Sequence, residues 1–201
     1  FEIGRNTQYD NNYFEGSIYE TRVYNKALTD NQLQRQIYQE IESNGGNIRG
    51  KVIPKDIDGL SWDDLELYYK MDILNTGQTT DTSPLGVNGH MHNMRTYQDR
   101  TAPLPYVTKA GGNTNWNDSN NWLHGDVWDI ADNHTACAII KLSKDMVTEK
   151  DHSTIGLIID NGVKFTVNDD SGIQNSWYLE LNGKMDLQGE SQLVQTLDSE
   201  L

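Results

Sequence analysis

His90 and His92, one residue apart in the phrase VNGHMHNM, would turn both imidazoles to one face of a strand, the arrangement two metal ligands need. No third ligand stands nearby in sequence, so an ordinary surface pair is the plainer reading. The five tryptophans Trp62, Trp116, Trp122, Trp128 and Trp177 offer flat apolar rings of the kind that stack on pyranose faces. Trp116 and Trp122 bracket the Asn-rich phrase NWNDSNNW, whose amides would add hydrogen bonds. These two are the expected ligand-binding residues, and the competing reading has them capping the end of a repeat core. The runs Asp63-Asp64 and Asp169-Asp170 have the composition of a glycosidase pair. Adjacent carboxylates on one loop do not flank a glycosidic bond from both sides, so they read as solvated turn residues. No G-x-S-x-G, H-E-x-x-H or P-loop occurs, and no catalytic residue is expected.

The elements that would position these residues are mostly strands. FEIGRN is short and alternating, and TQYDNN is turn-rich. YFEGSIYETRVYN then sets Tyr19, Thr21 and Val23 on one face and Ile18, Glu20, Arg22 and Tyr24 on the other, with Glu20 and Arg22 placed to pair. Thr29 with Gln32 three residues later predicts a capping box, and Leu28 and Leu33 a hydrophobic staple. Leu33, Ile37 and Ile41 predict a helix with one apolar stripe, ended by Gly45-Gly46. Residues 45–64 read as a connector, LELYYKMDIL (65–74) as a strand, and TAPLPY (101–106) as an extended boundary segment.

Beyond that boundary the pattern changes. STIGLIIDNGVKFTV and SWYLELNGKMDLQG align on Asn161-Gly162 and Asn182-Gly183, 21 residues apart, and CAIIKLSKDMV reads as a degenerate earlier copy. Asn-Gly between strands predicts a tight hairpin, whereas a repeat of this length also fits one rung of a β-solenoid. The short, evenly spaced apolar rows favour the solenoid.

The bulk composition restricts function more than fold. The chain has 201 residues, 35% of them hydrophobic, and a net charge of -14. Nucleic-acid backbones and anionic membrane surfaces would be repelled. The single cysteine, Cys137, makes no internal disulfide and no Cys-based zinc site, and its apolar neighbours suggest a buried strand thiol. No apolar run is long enough to span a membrane. Neither an initiator Met nor a signal peptide opens the chain, and strand-like phrases stand at both ends, so a piece of a longer polypeptide is expected.

Residues 14–28, FEGSIYETRVYNKAL, resemble the closing strand of laminin-G-like (concanavalin A-like) jelly rolls, with its pattern G-x-I-D-E-V-R-I-Y-N-R-A-L-S followed by a short helix. Tyr19 stands where that family usually has Asp. Residues 65–91 resemble the opening of the same fold, an L-x-x-Y-Y-x-F/M-D strand and then D-x-S-G-N-G-x-x-G. Asp72, Asp81, Ser83, Gly86, Asn88 and Gly89 occupy matching places, and Pro84 replaces the usual Gly. An ending thus precedes a beginning. Either the second stretch is a vestigial unit, or it adds strands that cover an edge of the first. The second is favoured, because half a jelly roll would leave its core open. The resemblance implies a Ca²⁺ site using Asp72 and Asp81, since hard cations take carboxylate and carbonyl oxygens. In the competing reading Asp81 caps its own turn.

The region from Trp116 through LELNGKMDLQGESQLVQ is similar to segments of very large surface proteins of gliding Bacteroidota that leave the cell by type IX secretion. Together the resemblances imply an all-β chain. Residues 1–44 would be the C-terminal end of a laminin-G-like jelly roll, with one short helix. Residues 45–100 would be a connector plus an added strand pair packing on it. Residues 101–201 would be a β-solenoid-like or β-sandwich repeat domain. The implied function is a segment of an extracellular, cell-surface adhesin or filament protein, structural and binding in surface attachment or gliding, and not an enzyme. Implied partners are an extracellular glycan or surface polymer, secretion machinery and outer-membrane anchoring proteins. The alternative is an accessory carbohydrate-binding region of a secreted polysaccharide-degrading enzyme.

Overall fold

The computed structural model describes residues 2–5, 13–16, 18–71, 77–92, 105–123, 125 and 138–196. These residues are mostly strand with one α-helix, an all-β fold. In chain order the elements are β1 (Thr21–Tyr24), α1 (Asp30–Ile37), β2 (Ile41–Asn44), β3 (Asn47–Gly50), β4 (Asp56–Ser61), β5 (Leu65–Tyr69), β6 (Gln78–Thr79), β7 (Gly89–His90), β8 (Tyr106–Val107), β9 (Ile139–Leu142), β10 (Met146–Thr148), β11 (His152–Ile159), β12 (Lys164–Val167), β13 (Gly172–Leu181), β14 (Lys184–Leu187) and β15 (Gln192–Gln195). The chain divides into two compact units, Phe1–Ala27 with Ser61–Ala102, and Leu28–Leu60 with Pro103–Leu201. This division cuts across the 1–44 and 45–100 segments read from the sequence.

In the first unit β1 and β5 pair antiparallel, Arg22 opposite Tyr68 and Val23 opposite Leu67. The strand that reads as an ending is therefore partnered by the strand that reads as a beginning. A single 3-10 turn, Trp62–Asp64, feeds β5. Its Ser61 Oγ accepts from the Asp63 amide, and Asp64 accepts from the Ser61 amide at 2.8 Å. Lys26 ties the end of β1 to the same carboxylate at 2.7 Å. Burial of Leu65, Tyr68 and Tyr69 anchors the pair. The expected Glu20–Arg22 ion pair forms, and Tyr68 donates its hydroxyl to the same Glu20 carboxylate. Glu20 sits in the left-handed backbone region with φ 53°, a conformation that costs a non-glycine residue energy and that these partners hold in place.

In the second unit α1 begins as its sequence predicts, with Thr29 and Gln32 in a reciprocal capping box. It ends earlier than predicted, at Ile37, and Ile41 belongs to β2. Gly45-Gly46 is not a helix stop. Both glycines have positive φ and make the two-residue turn of a β2–β3 hairpin. The expected apolar stripe is also reversed, with Leu33 49% and Ile37 41% exposed while Gln36 and Gln39 are buried. The reason is hydrogen bonding. Gln39 Oε1 accepts from the amides of Val52 and Ile53, and its Nε2 donates to the Arg35 carbonyl, so an amide rather than an alkyl chain fits the buried position. Residues 45–64, expected as a connector, carry β3 and β4 of a three-stranded sheet.

From β9 onward successive strands alternate between two parallel sheets. One has the order β15-β13-β11-β9-β8 and the other β10-β12-β14. Thr154 stands beside Asn175 in one sheet, and Phe165 beside Met185 in the other. The strands flanking Asn161-Gly162 lie in different sheets, so that turn closes no hairpin. Ile139, Leu142, Met146, Leu157, Ile159, Phe165, Val167 and Ile173 form the core. Turn carboxylates join the layers. Asp145 accepts from the Lys164 amide, Asp151 from the Gly172 amide and Asp169 from the Glu190 amide, at 2.6–2.7 Å. Gly156 marks where Ile53 comes closest, since a Cβ there would lie 2.5 Å from Ile53 Cδ1.

Candidate functional site

The loop after β6 is organised by Asp81. One carboxylate oxygen accepts from the amides of Tyr68 and Ser83, the other from the Val87 amide and the Ser83 hydroxyl, all at 2.9 Å. The Asp81 amide in turn donates to Asn88 Oδ1 at 3.0 Å. Burial would raise the Asp81 pKa, but these donors outweigh it and hold the group below the ordinary carboxylate value. With both oxygens doubly engaged, the carboxylate ties its own loop to the Tyr68 backbone. Asp72 lies outside the described residues. Among the described residues no group of three His, Cys, Asp or Glu side chains converges, and the exposed His90 and His92 have no third ligand beside them.

Trp116 and Trp122 require a correction. Each is 1% exposed and belongs to the core of the second unit. Their rings meet edge to face at 5.0 Å, and Trp116 stacks on His152 at 4.7 Å and leans on Phe165 at 5.3 Å. Trp122 packs against Tyr106 and donates its Nε1–H to the Trp116 carbonyl at 2.8 Å. No ring face is left for a sugar. The energetic reason is the large apolar area each indole removes from water at the start of the stacked strands. Trp177 is likewise buried, with the Arg35 guanidinium 4.9 Å over its ring. Trp128 and Cys137 lie outside the described residues.

With the indoles turned inward, the loop between them exposes Asn120 and buries Asn121. Lys144, which sequence reasoning missed, fixes that loop. Its Nζ donates to the carbonyls of Gly111 (2.5 Å) and Asn113 (2.9 Å) and to Asn121 Oδ1 (2.6 Å). Burial, and then the nearby Lys109 charge, push its pKa below the ordinary lysine value. Asn121 is fully buried, and its Nδ2 donates to Asn113 Oδ1 and the Asn115 carbonyl. Asp118 accepts from the side chains of Asn113 and Asn120 and from the Asn120 amide, which lowers its pKa. The loop is thus a cage of oxygens whose cation is the chain's own ammonium group. The available signal was the excess of asparagine, a residue whose short amide bonds to nearby backbone. What remained hidden was that a lysine more than twenty residues away fills the cage.

His152 is the one strongly perturbed titratable group in this cluster. It is 2% exposed, and its Nε2 lies 2.6 Å from Thr148 Oγ1. Burial drives its pKa down from 6.5 to about 4, so the imidazole is neutral near pH 7. It is packed in the core, stacked on the Trp116 ring. Comparison with family models, with curated proteins and with solved structures gives no match. No helix among the described residues is long and apolar enough to cross a membrane.

Proposed function

We propose that this chain is a structural and binding segment of an exported cell-surface adhesin or filament protein, its second unit a β-solenoid. The observation that carries the reading is the alternation of β9 to β15 between two parallel sheets, with each layer's backbone bonded to the next. Such stacking builds a stiff module by nearest-neighbour contacts and places turns along its sides, the property a spacer or attachment element needs. The ordered loop 111–121 then serves as a preformed polar contact surface for a glycan or surface polymer. The first unit is proposed as part of a laminin-G-like jelly roll, with β5 extending the sheet begun by β1. Burial of Trp116 and Trp122 weighs against the stacking that an accessory carbohydrate-binding region would use.

The test is localisation and binding. Antibodies raised against the chain should label intact, unpermeabilised cells of the organism that makes it, and labelling only after lysis would sink the proposal. On a glycan array, Asn115→Ala together with Asn120→Ala should weaken any binding, while a Trp62→Ala control should not.

A further inference from the structure

Four Asn-Gly pairs occur in the chain, at Asn44, Asn88, Asn161 and Asn182. Such a pair can close on itself. The glycine backbone nitrogen attacks the asparagine side-chain carbonyl carbon and a C–N bond forms. The side-chain nitrogen leaves as ammonia, which carries away the glycine N–H proton. Water then opens the five-membered imide at one carbonyl or the other, to aspartate or isoaspartate. Glycine permits the approach because no Cβ crowds the attacking nitrogen. The asparagine must also swing onto its own backbone, so a bond that holds its amide elsewhere, or crowding around the glycine, blocks closure.

Three of the four pairs are blocked. Asn44 donates its Nδ2 to Asp56 Oδ1 at 2.9 Å. Asn88 Oδ1 accepts from the Asp81 amide at 3.0 Å, and Thr79 and Tyr69 press on Gly89. Asn182 donates to Glu180 Oε1 at 2.6 Å, and the Gly183 nitrogen is itself engaged with the Ile159 carbonyl at 3.0 Å. Gly183 is also packed so tightly that a Cβ would collide with the carbonyls of Val163 and Asp160. Asn161 differs from all three in its side chain, and from the Asn88 and Asn182 pairs also in the space at its glycine, Gly45 being as open as Gly162. Its side chain is exposed and has no hydrogen-bond partner among the described residues. Gly162 has φ +81° with open space around it. Within the turn the Val163 amide reaches the Asp160 carbonyl at 3.1 Å.

We infer that Asn161 is the position at which this chain undergoes spontaneous succinimide formation, giving aspartate and isoaspartate in the turn between β11 and β12. Either product sets a new negative charge beside Asp160, whose carboxylate already serves Lys141 and Ser143. Isoaspartate also lengthens the turn backbone by one methylene, at the point where the chain passes from one sheet to the other.

Incubation of the 201-residue chain at mildly alkaline pH, followed by peptide mapping and isoaspartate-specific methylation, tests this. The Asn161 peptide should convert roughly tenfold faster than those carrying Asn44, Asn88 and Asn182, because freeing a hydrogen-bonded amide slows the others by about that factor. In the urea-unfolded chain the four should convert at similar rates. Asn161→Gln should abolish most ammonia release from the folded chain. Equal rates at all four sites in the folded protein, a faster site elsewhere, undiminished ammonia release from N161Q, or no conversion at Asn161 while the unfolded chain converts would each overturn the inference.

Discussion

His152 shows how one side chain ties stability to pH. Its folded pKa lies near 4, against 6.5 when solvated, so the unfolded chain binds more protons between those values. Stability is therefore full above about pH 6.5 and falls as pH drops toward 4, by up to roughly 3 kcal/mol. Urea unfolding across this window should show the fall in the native protein, and His152→Gln should flatten it. An unchanged slope in the variant would assign the acid sensitivity to other groups. Asp56, Asp64, Asp81, Asp118 and Asp186 also have lowered pKa values, but from a starting value of 3.8, so their stabilisation is lost below the histidine window.

At the scale of elements, two contacts bring together segments far apart in sequence. The backbone at Gly156 accommodates Ile53, which is fully buried. Gly156→Ala should cost about 1–3 kcal/mol by overpacking, read as a lower urea midpoint with an unchanged slope. The reverse outcome, a stabilised alanine variant, would mean that Ile53 yields freely. Lys144→Met should remove the three bonds that order loop 111–121 and cost about 1 kcal/mol, tempered by the partial exposure of the ammonium group. Trp fluorescence of that variant should shift to the red as Trp122 meets water. The helix capping box and the Asn161–Asn182 spacing were legible in sequence because they depend on near neighbours. The end of α1 was not, because a buried glutamine bonded to Val52 and Ile53 outweighs the Leu33, Ile37, Ile41 periodicity.

Over the whole molecule, stability should follow position in the parallel stack. β9, β11 and β13 have partners on both sides, whereas β15 and β8 have one each in the same sheet. Native-state hydrogen exchange should therefore be slowest in the amides of β11 and fastest, among these strands, in β8 and β15. Uniform protection across the sheet would contradict nearest-neighbour stacking.

The amino-acid sequence alone determined the strand-rich class, the capped start of α1, the Glu20–Arg22 pair, the layer spacing and the lack of a membrane-crossing helix among the described residues. Each of these rests on composition or on residues close along the chain. Tertiary structure alone decided that β1 pairs with β5, that Trp116 and Trp122 face inward and that Lys144 fills the asparagine cage. It likewise decided that Asp81 spends both oxygens on its own loop. In all four the deciding partner is remote in sequence or is a backbone group brought near by folding. An exposed ring and a buried one, or a free carboxylate and a saturated one, are written with the same residue.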